Sequence, residues 1–356
     1  MGGLAYHLMS SRRQIVLRNL RIAFYQEKEL PELRRMVRET FCRTGANLFS
    51  ALHTSGLSAA AVGGIVEWVN SELVTEALTR SSGLVMMPSH MGNWEILTRI
   101  HRELPPGHRN GAFYRPLNNP LLDARVLAQR EAEGCRLFSK RDSFHQATGF
   151  LREGGILGIL ADQRAGPQGE LVRFFGRLTR ASPLPGLLAR RSKVGVLALS
   201  LVTVSPGKWR GRYHPLDGQI STNSCMAAIE EAIKTSPLDY FWLQERWKVF
   251  VRPNRTIRDW LGPDTHGEGT PHRALLWRPG TPDSWQIPAD WTHPDVNYET
   301  LPLTATPPTN RDGLVKFLAK IDAAHPLPID YILTCHASKA LIKAARRLAI
   351  PLVSLS

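Results

Sequence analysis

Residues 84–95 read Leu84-Val85-Met86-Met87-Pro88-Ser89-His90-Met91-Gly92-Asn93-Trp94-Glu95. A short apolar run stops at a proline and a serine. Its length and bounding residues are those of a buried strand. Gly92 and Asn93 supply turn chemistry, and residues 94–102 have a helical pattern. A strand that ends in a polar turn and passes into a helix is half of a strand–helix–strand unit. The same alternation continues outward. Residues 111–114, 136–138, 155–160, 194–204 and 209–213 read as strands. Residues 120–133, 143–152, 184–192 and 224–234 read as helices between or after them. Alternating strands and helices predict an α/β layered domain with a mostly parallel sheet flanked by helices. In such sheets, sites form at the carboxyl ends of strands.

The 356 residues suggest two domains, or one large domain with an addition. Residues 262–271, Gly-Pro-Asp-Thr-His-Gly-Glu-Gly-Thr-Pro, have a linker's density of breakers. The expected division is therefore 1–260, a linker at 261–271, and a small α/β appendage at 272–356. Within the appendage, residues 274–277, 331–334 and 351–355 read as strands and 338–349 as a helix. Ser338 there is an N-cap or, less simply, a phosphate ligand. Lys plus Arg exceeds Asp plus Glu by 45 to 31, a net charge of +14. The excess is +3 in residues 1–80, +11 in 81–260 and zero in 261–356.

Four dispersed cysteines exclude a disulfide scaffold and leave no evident zinc site. No apolar run reaches the roughly 18 residues of a membrane span. Residues 12–24 place Arg12, Arg13, Arg18 and Arg21 beside Ile15, Val16, Leu20, Ile22 and Phe24. That pattern fits a helix on an anionic membrane surface or one packed on its own domain. The cations form no recognisable nucleic-acid module, so nucleic acid is not an expected partner.

His90 and Glu95 are the first candidates for chemistry. A carboxylate beside an imidazole orients the ring and stabilises its protonated form. Spacing alone is weak evidence, because about one histidine followed by an acid five residues later is expected by chance. Two occur, the second being His325 and Asp330, which a proline-rich context marks as coincidence. The strand-end position of His90 and its companions carry more weight. These are Tyr114-Arg115-Pro116, Asn118-Asn119-Pro120, Arg130, Asp162-Gln163, Phe174-Phe175-Gly176 and residues 242–248, Trp-Leu-Gln-Glu-Arg-Trp-Lys.

With these motifs in this order, and with 19–24 reading Asn-Leu-Arg-Ile-Ala-Phe, the sequence resembles the lipid A late acyltransferases. These are the lauroyl/myristoyl acyltransferases of Kdo2-lipid A synthesis, within the lysophospholipid acyltransferase superfamily. The resemblance runs from about residue 13 to 252. It implies a bacterial enzyme at the cytoplasmic face of the inner membrane. The acyl donor would be acyl carrier protein, and the acceptor a hydroxyl of a 3-hydroxyacyl chain on a lipid A precursor. His90 would be the general base and Glu95 its orienter. Arg115, Arg130, Asp162 and Asn119 would bind substrate; Asn119 has an alternative as turn chemistry and Asp162 as a loop cap. The oxyanion donors would be backbone N–H groups near Gly92 or an arginine. No cofactor is expected. Phe241, Trp242 and Trp247 would be an interfacial belt or core, and Arg190-Arg191-Ser192-Lys193 a docking patch or a helix end.

The sequence departs from the family in starting about where a membrane-anchoring helix would end, and in carrying residues 271–356 beyond the usual length. An acyl-CoA-dependent enzyme acting on another glycolipid or a lysophospholipid remains the alternative on sequence. A non-catalytic lipid-binding protein would keep its function after His90→Ala. Anionic lipid, a phosphorylated substrate and an acidic carrier protein would each use the positive charge, with association weakening as salt rises.

Overall fold

The structure, a computed structural model, describes residues 2–24, 27–114, 119–131, 134–139, 144–166, 168–247, 272–282, 284–301, 306–348 and 350–355. The expected linker at 261–271 lies outside these residues, as does Arg115. The chain forms two compact units. The first comprises 1–8, 38–170 and 181–241, and the second 9–37, 171–180 and 242–356.

The N-terminal helices are α1 (Gly2–Leu8), α2 (Ser10–Phe24) and α3 (Leu30–Thr54), followed by α4 (Ala59–Gly63). Strand β1 (Val66–Val69) and helix α5 (Glu72–Arg80) lead to β2 (Leu84–Pro88). A 3-10 helix, Trp94–Glu103, then leads to β3 (Arg109–Phe113). Next come α6 (Pro120–Glu131), β4 (Arg136–Phe138), α7 (Phe144–Arg152) and β5 (Gly155–Gly158). A hairpin of β6 (Glu170–Phe174) and β7 (Arg177–Ala181) precedes α8 (Leu184–Ser192). Strands β8 (Gly195–Ser205) and β9 (Lys208–Pro215) and helix α9 (Thr222–Lys234) complete this part.

The first unit is built on a seven-stranded sheet of order β1-β9-β8-β2-β5-β3-β4. Every pairing is parallel except β8 with β9. This is the mostly parallel α/β sheet that the alternation predicts. All five residues of β2 are buried, as a central strand covered on both faces requires. Leu84, Met86, Ile156, Leu197 and Leu199 pack with Val74 of α5 in one core cluster. Val66, Leu201 and Trp209 join Ile96 of the 3-10 helix in another. Strand β1 and the β6–β7 hairpin are additions to the sequence reading.

The second unit holds a four-stranded parallel sheet of order β11-β10-β12-β13. Its strands are β10 (His272–Leu276), β11 (Val296–Thr300), β12 (Tyr331–Thr334) and β13 (Leu352–Ser354). Helices α10 (Arg311–Ala324) and α11 (Lys339–Arg347) cover one face. Alternation sorts the strands' side chains. Leu275 and Ile332 meet Leu314, Leu318 and Leu341 of the helices, while Ala274, Leu276 and Tyr331 pack with Trp291 on the other face. Ser338 accepts a hydrogen bond from Leu341 N at 3.1 Å, so it is the N-cap of α11. Strand β11 and helix α10 are additions to the sequence reading.

This unit also takes up motifs of the first 260 residues. Phe24, Phe174, Phe175, Trp242 and Trp247 form one aromatic cluster. Trp242 is 0% and Trp247 4% exposed, so both are core residues and not an interfacial belt. Asn19 Nδ2 donates to the carbonyls of Trp242 and Gln244 at 2.8 and 2.7 Å. The family-like motifs at 19–24, 174–176 and 242–247 therefore work as a packing unit. Arg190, in the last turn of α8, donates to Ile220 O at 2.8 Å.

Candidate active site

Strands β2 and β5 are parallel neighbours, and both hand their polar residues to the same end of the sheet. His90 lies two residues beyond β2 and Asp162 four residues beyond β5. Their side chains meet. His90 Nδ1 lies 2.8 Å from Asp162 Oδ1, and His90 N donates to Asp162 Oδ2 at 3.3 Å. Asp162 is 0% exposed, while the His90 side chain is 16% exposed. An ionised carboxylate only accepts hydrogen bonds, so this contact fixes the ring proton on Nδ1. The lone pair is left on Nε2, where the amide nitrogen of exposed Gln163 lies at 3.1 Å. Trp94 meets the ring edge-on at a centroid distance of 5.1 Å.

Burial by itself would lower the His90 pKa, because it disfavours the cation. The charge and hydrogen bond of Asp162, with the charge of Glu95, outweigh burial and raise it above the usual histidine value. A carboxylate that orients an imidazole and stabilises its protonated form is the requirement for general-base work.

The loop is held by a backbone scaffold. Gly92 has φ +55°, and a Cβ there would lie 2.4 Å from Leu201 O, so only glycine fits without movement. Met91 bridges to Tyr240, Gly92 N donates to Asp239 O at 3.1 Å, and Phe241 N donates to His90 O at 2.9 Å. The Gly92 N–H is thus bound to the scaffold. Asp239 is 3% exposed and receives hydrogen bonds from Asn47, Thr203 and Ser236. Tyr240 OH donates to Asp162 O at 3.3 Å. Asn93 Nδ2 donates to Thr54 Oγ1 at 2.9 Å. Arg99 donates to the carbonyls of Thr54, Ser55 and Leu57, which satisfies the end of α3.

The sequence candidates therefore separate by position. His90 and Asp162 are joined directly. Glu95 lies in the first turn of the 3-10 helix and accepts a hydrogen bond from Trp94 Nε1 at 3.1 Å. It acts on the ring through charge, whereas the carboxylate bonded to Nδ1 belongs to Asp162. Asn119 accepts from Leu121 N at 3.0 Å at the start of α6. Arg130 lies on α6, and nothing is described of its side chain. Asp239 and Tyr240 were missed as supporting residues, and Gln163 stood in the Asp162-Gln163 motif without a role. Only adjacency to Phe241 marked Tyr240, and nothing local marked Asp239. Among the described residues, no group of three His, Cys, Asp or Glu side chains could hold a metal ion. No described helix is long and apolar enough to cross a membrane.

Two comparisons with known proteins bear on this geometry. The sequence model of the family described as bacterial lipid A biosynthesis acyltransferase matches residues 1–249. The lipid A biosynthesis lauroyltransferase of Escherichia coli (strain K12) is 24% identical over 261 residues, covering 70% of this chain and 83% of that protein.

Proposed function

The chain belongs to the bacterial lipid A biosynthesis acyltransferase family, and from that premise we propose a donor, an acceptor and a base for its reaction. The donor is a fatty acyl thioester of acyl carrier protein. The acceptor is a hydroxyl of a 3-hydroxyacyl chain on a lipid A precursor. His90 Nε2 takes the hydroxyl proton, and the oxygen attacks the thioester carbonyl. The tetrahedral intermediate collapses with loss of the thiolate. The imidazolium returns its proton to that sulfur, so the products are an ester and a free thiol. Asp162 keeps the proton on Nδ1 and stabilises the imidazolium between the two transfers. Glu95 adds a second negative charge to the same end.

The observation that carries this reading is the 2.8 Å contact of His90 Nδ1 with fully buried Asp162, beyond two adjacent parallel strands. It leaves the basic nitrogen next to an exposed amide that an incoming hydroxyl can displace. Arg115 and Arg130 bind phosphate of the precursor or of the carrier's phosphopantetheine, for which guanidinium geometry is suited. Asn119 shapes the start of α6 beside them in sequence. The +11 of residues 81–260 favours an acidic carrier and the anionic cytoplasmic face of the inner membrane.

The test is acyl transfer by purified protein to a tetra- or penta-acylated lipid A precursor, with acyl carrier protein and CoA thioesters compared as donors. Product from the carrier thioester and loss of it in His90→Ala are expected. Equal turnover by His90→Ala would remove the proposed base. Transfer from acyl-CoA alone would replace the donor.

A further inference from the structure

The charge-balanced end of the chain is strongly polarised. Residues 261–356 hold nine Lys or Arg and nine Asp or Glu. Five of the nine cations, Arg311, Lys316, Lys343, Arg346 and Arg347, line one cleft of about 720 Å³ together with Arg12 of α2. Only two acids, Glu245 and Asp312, share that lining. All these residues belong to the second unit.

Four of these six cations are not consumed by the fold. Arg311 pairs with Asp312 at 2.7 Å, and Arg12 donates to Leu243 O at 3.2 Å. Lys316, Lys343, Arg346 and Arg347 are exposed and form no ion pair among the described residues. Lys343 lies three and four residues from Arg346 and Arg347 on α11, where like charges are neighbours and repel. The C-terminal end of α11 favours cations and so accounts for Arg346 and Arg347. It does not account for Lys343 or for Lys316 of α10. The local potential is visible at Asp312. Hydrogen bonding and charge from Arg311 hold its carboxyl below the usual carboxylate range, and Arg347 and Lys316 add to this.

A second, mainly apolar pocket of about 120 Å³ adjoins the first and shares Gln14, Ile15, Glu245 and Arg347 with it. Leu17, Leu30, Trp247, Ala319 and Leu348 contribute apolar lining, and Arg18, Arg21, Arg34 and Asp322 also border it. Its volume of about 120 Å³ and mainly apolar surface give room for a short alkyl segment. A basic cleft beside an apolar pocket matches a ligand with both properties.

We propose that this paired site binds a phosphorylated amphiphile, with the phosphate in the Lys316–Lys343–Arg346–Arg347 cleft and the alkyl segment in the pocket beside Ala319. Arginine pairs engage phosphate oxygens through parallel hydrogen bonds, and lysines add charge. The site is independent of the transfer chemistry assigned to His90 and stands if that assignment fails.

The test is titration calorimetry of the full-length protein with dihexanoyl phosphatidic acid, dihexanoyl phosphatidylcholine and inorganic pyrophosphate. Saturable binding of phosphatidic acid is expected, weakening as salt rises. Pyrophosphate should bind about tenfold more weakly, and phosphatidylcholine more weakly still. Lys343→Glu with Arg346→Glu changes two exposed side chains and should weaken phosphatidic acid by about tenfold or more. Ala319→Phe should remove the advantage of phosphatidic acid over pyrophosphate, with circular dichroism confirming the fold. The proposal is overturned by absence of saturable phosphatidic acid binding. It is equally overturned by binding that the charge reversal leaves unchanged, or by pyrophosphate binding as tightly as the lipid.

Discussion

Each unit contains a histidine paired through Nδ1 with an aspartate. In the first, His90 meets Asp162 at 2.8 Å; in the second, His272 meets Asp330 at 3.1 Å. The surroundings differ. His90 keeps a 16% exposed side chain, and its Nε2 faces an exposed glutamine amide. His272 is 1% exposed, and its Nε2 lies 3.1 Å from Arg173 Nη1. Asp330 also accepts from Arg177 at 3.0 Å and from Arg273 N at 3.0 Å. Burial alone would raise the Asp330 pKa, but Arg177 and His272 outweigh it and hold the carboxyl below the usual range. The same two side chains thus leave the far ring nitrogen beside an exposed amide in one place and tie it into a closed ion network in the other. What separates them is exposure: the histidine side chain is 16% exposed in one pair and 1% in the other.

The sharpest way to break that comparison is to remove each histidine. His90→Ala should lower acyl transfer by about 10²–10⁴-fold with little change in melting temperature. His272→Ala should do the reverse, lowering thermal stability while turnover per folded molecule holds. Removing the acid of the second pair is the next largest effect. Asp330→Ala removes a carboxylate that pairs with Arg177, which is 1% exposed. It should destabilise the fold by about 3–5 kcal/mol in denaturant titration. A normal melting curve for that variant would make the network dispensable.

The scaffold of the first pair can be strained without touching the pair. Gly92→Ala must hold φ near +55° and push against Leu201 O. About 1–3 kcal/mol of backbone strain is expected, with transfer reduced because His90 moves. Unchanged kinetics would show that the loop's conformation is not needed.

The smallest effect is a shift in pH dependence. The base must be neutral, and its pKa is raised, so transfer should fall as pH drops through a value above the ordinary histidine pKa of about 6.5. Asp162→Asn removes the main raising influence, and the acid limb of kcat/KM should move to lower pH. A limb that stays in place would separate Asp162 from the titrating group. Stability has the opposite slope. The raised pKa contributes stability that is complete below the unfolded value and lost as pH rises through the folded one.

Much of the fold was legible because strand and helix patterns are local. The run from Leu84 to Met87, the turn at Gly92 and the apolar stretch near residue 200 each declare themselves within a dozen residues. His90 was singled out because it follows such a strand. Asp162 was singled out as a substrate ligand and not as the partner of His90, since the two lie 72 residues apart and meet only because β5 enters the sheet beside β2. The chain order β2, β3, β4, β5 does not show that neighbour relation. Spacing pointed instead to Glu95, which bonds Trp94. The second spacing, His325 with Asp330, was a coincidence, and the true partner of Asp330 is His272, 58 residues earlier.

The sequence by itself determined the α/β class, the family, the strand-end histidine and the distribution of charge along the chain. Those properties are written in short patterns, in ordered motifs and in simple counts. Tertiary structure alone decided which aspartate serves which histidine, that motifs at 19–24, 174–176 and 242–247 pack together, and that a neutral tail gathers five of its nine cations on one cleft. Net charge averages over residues, and spacing measures distance along the chain. Folding sets distance in space, through strand order and helix face.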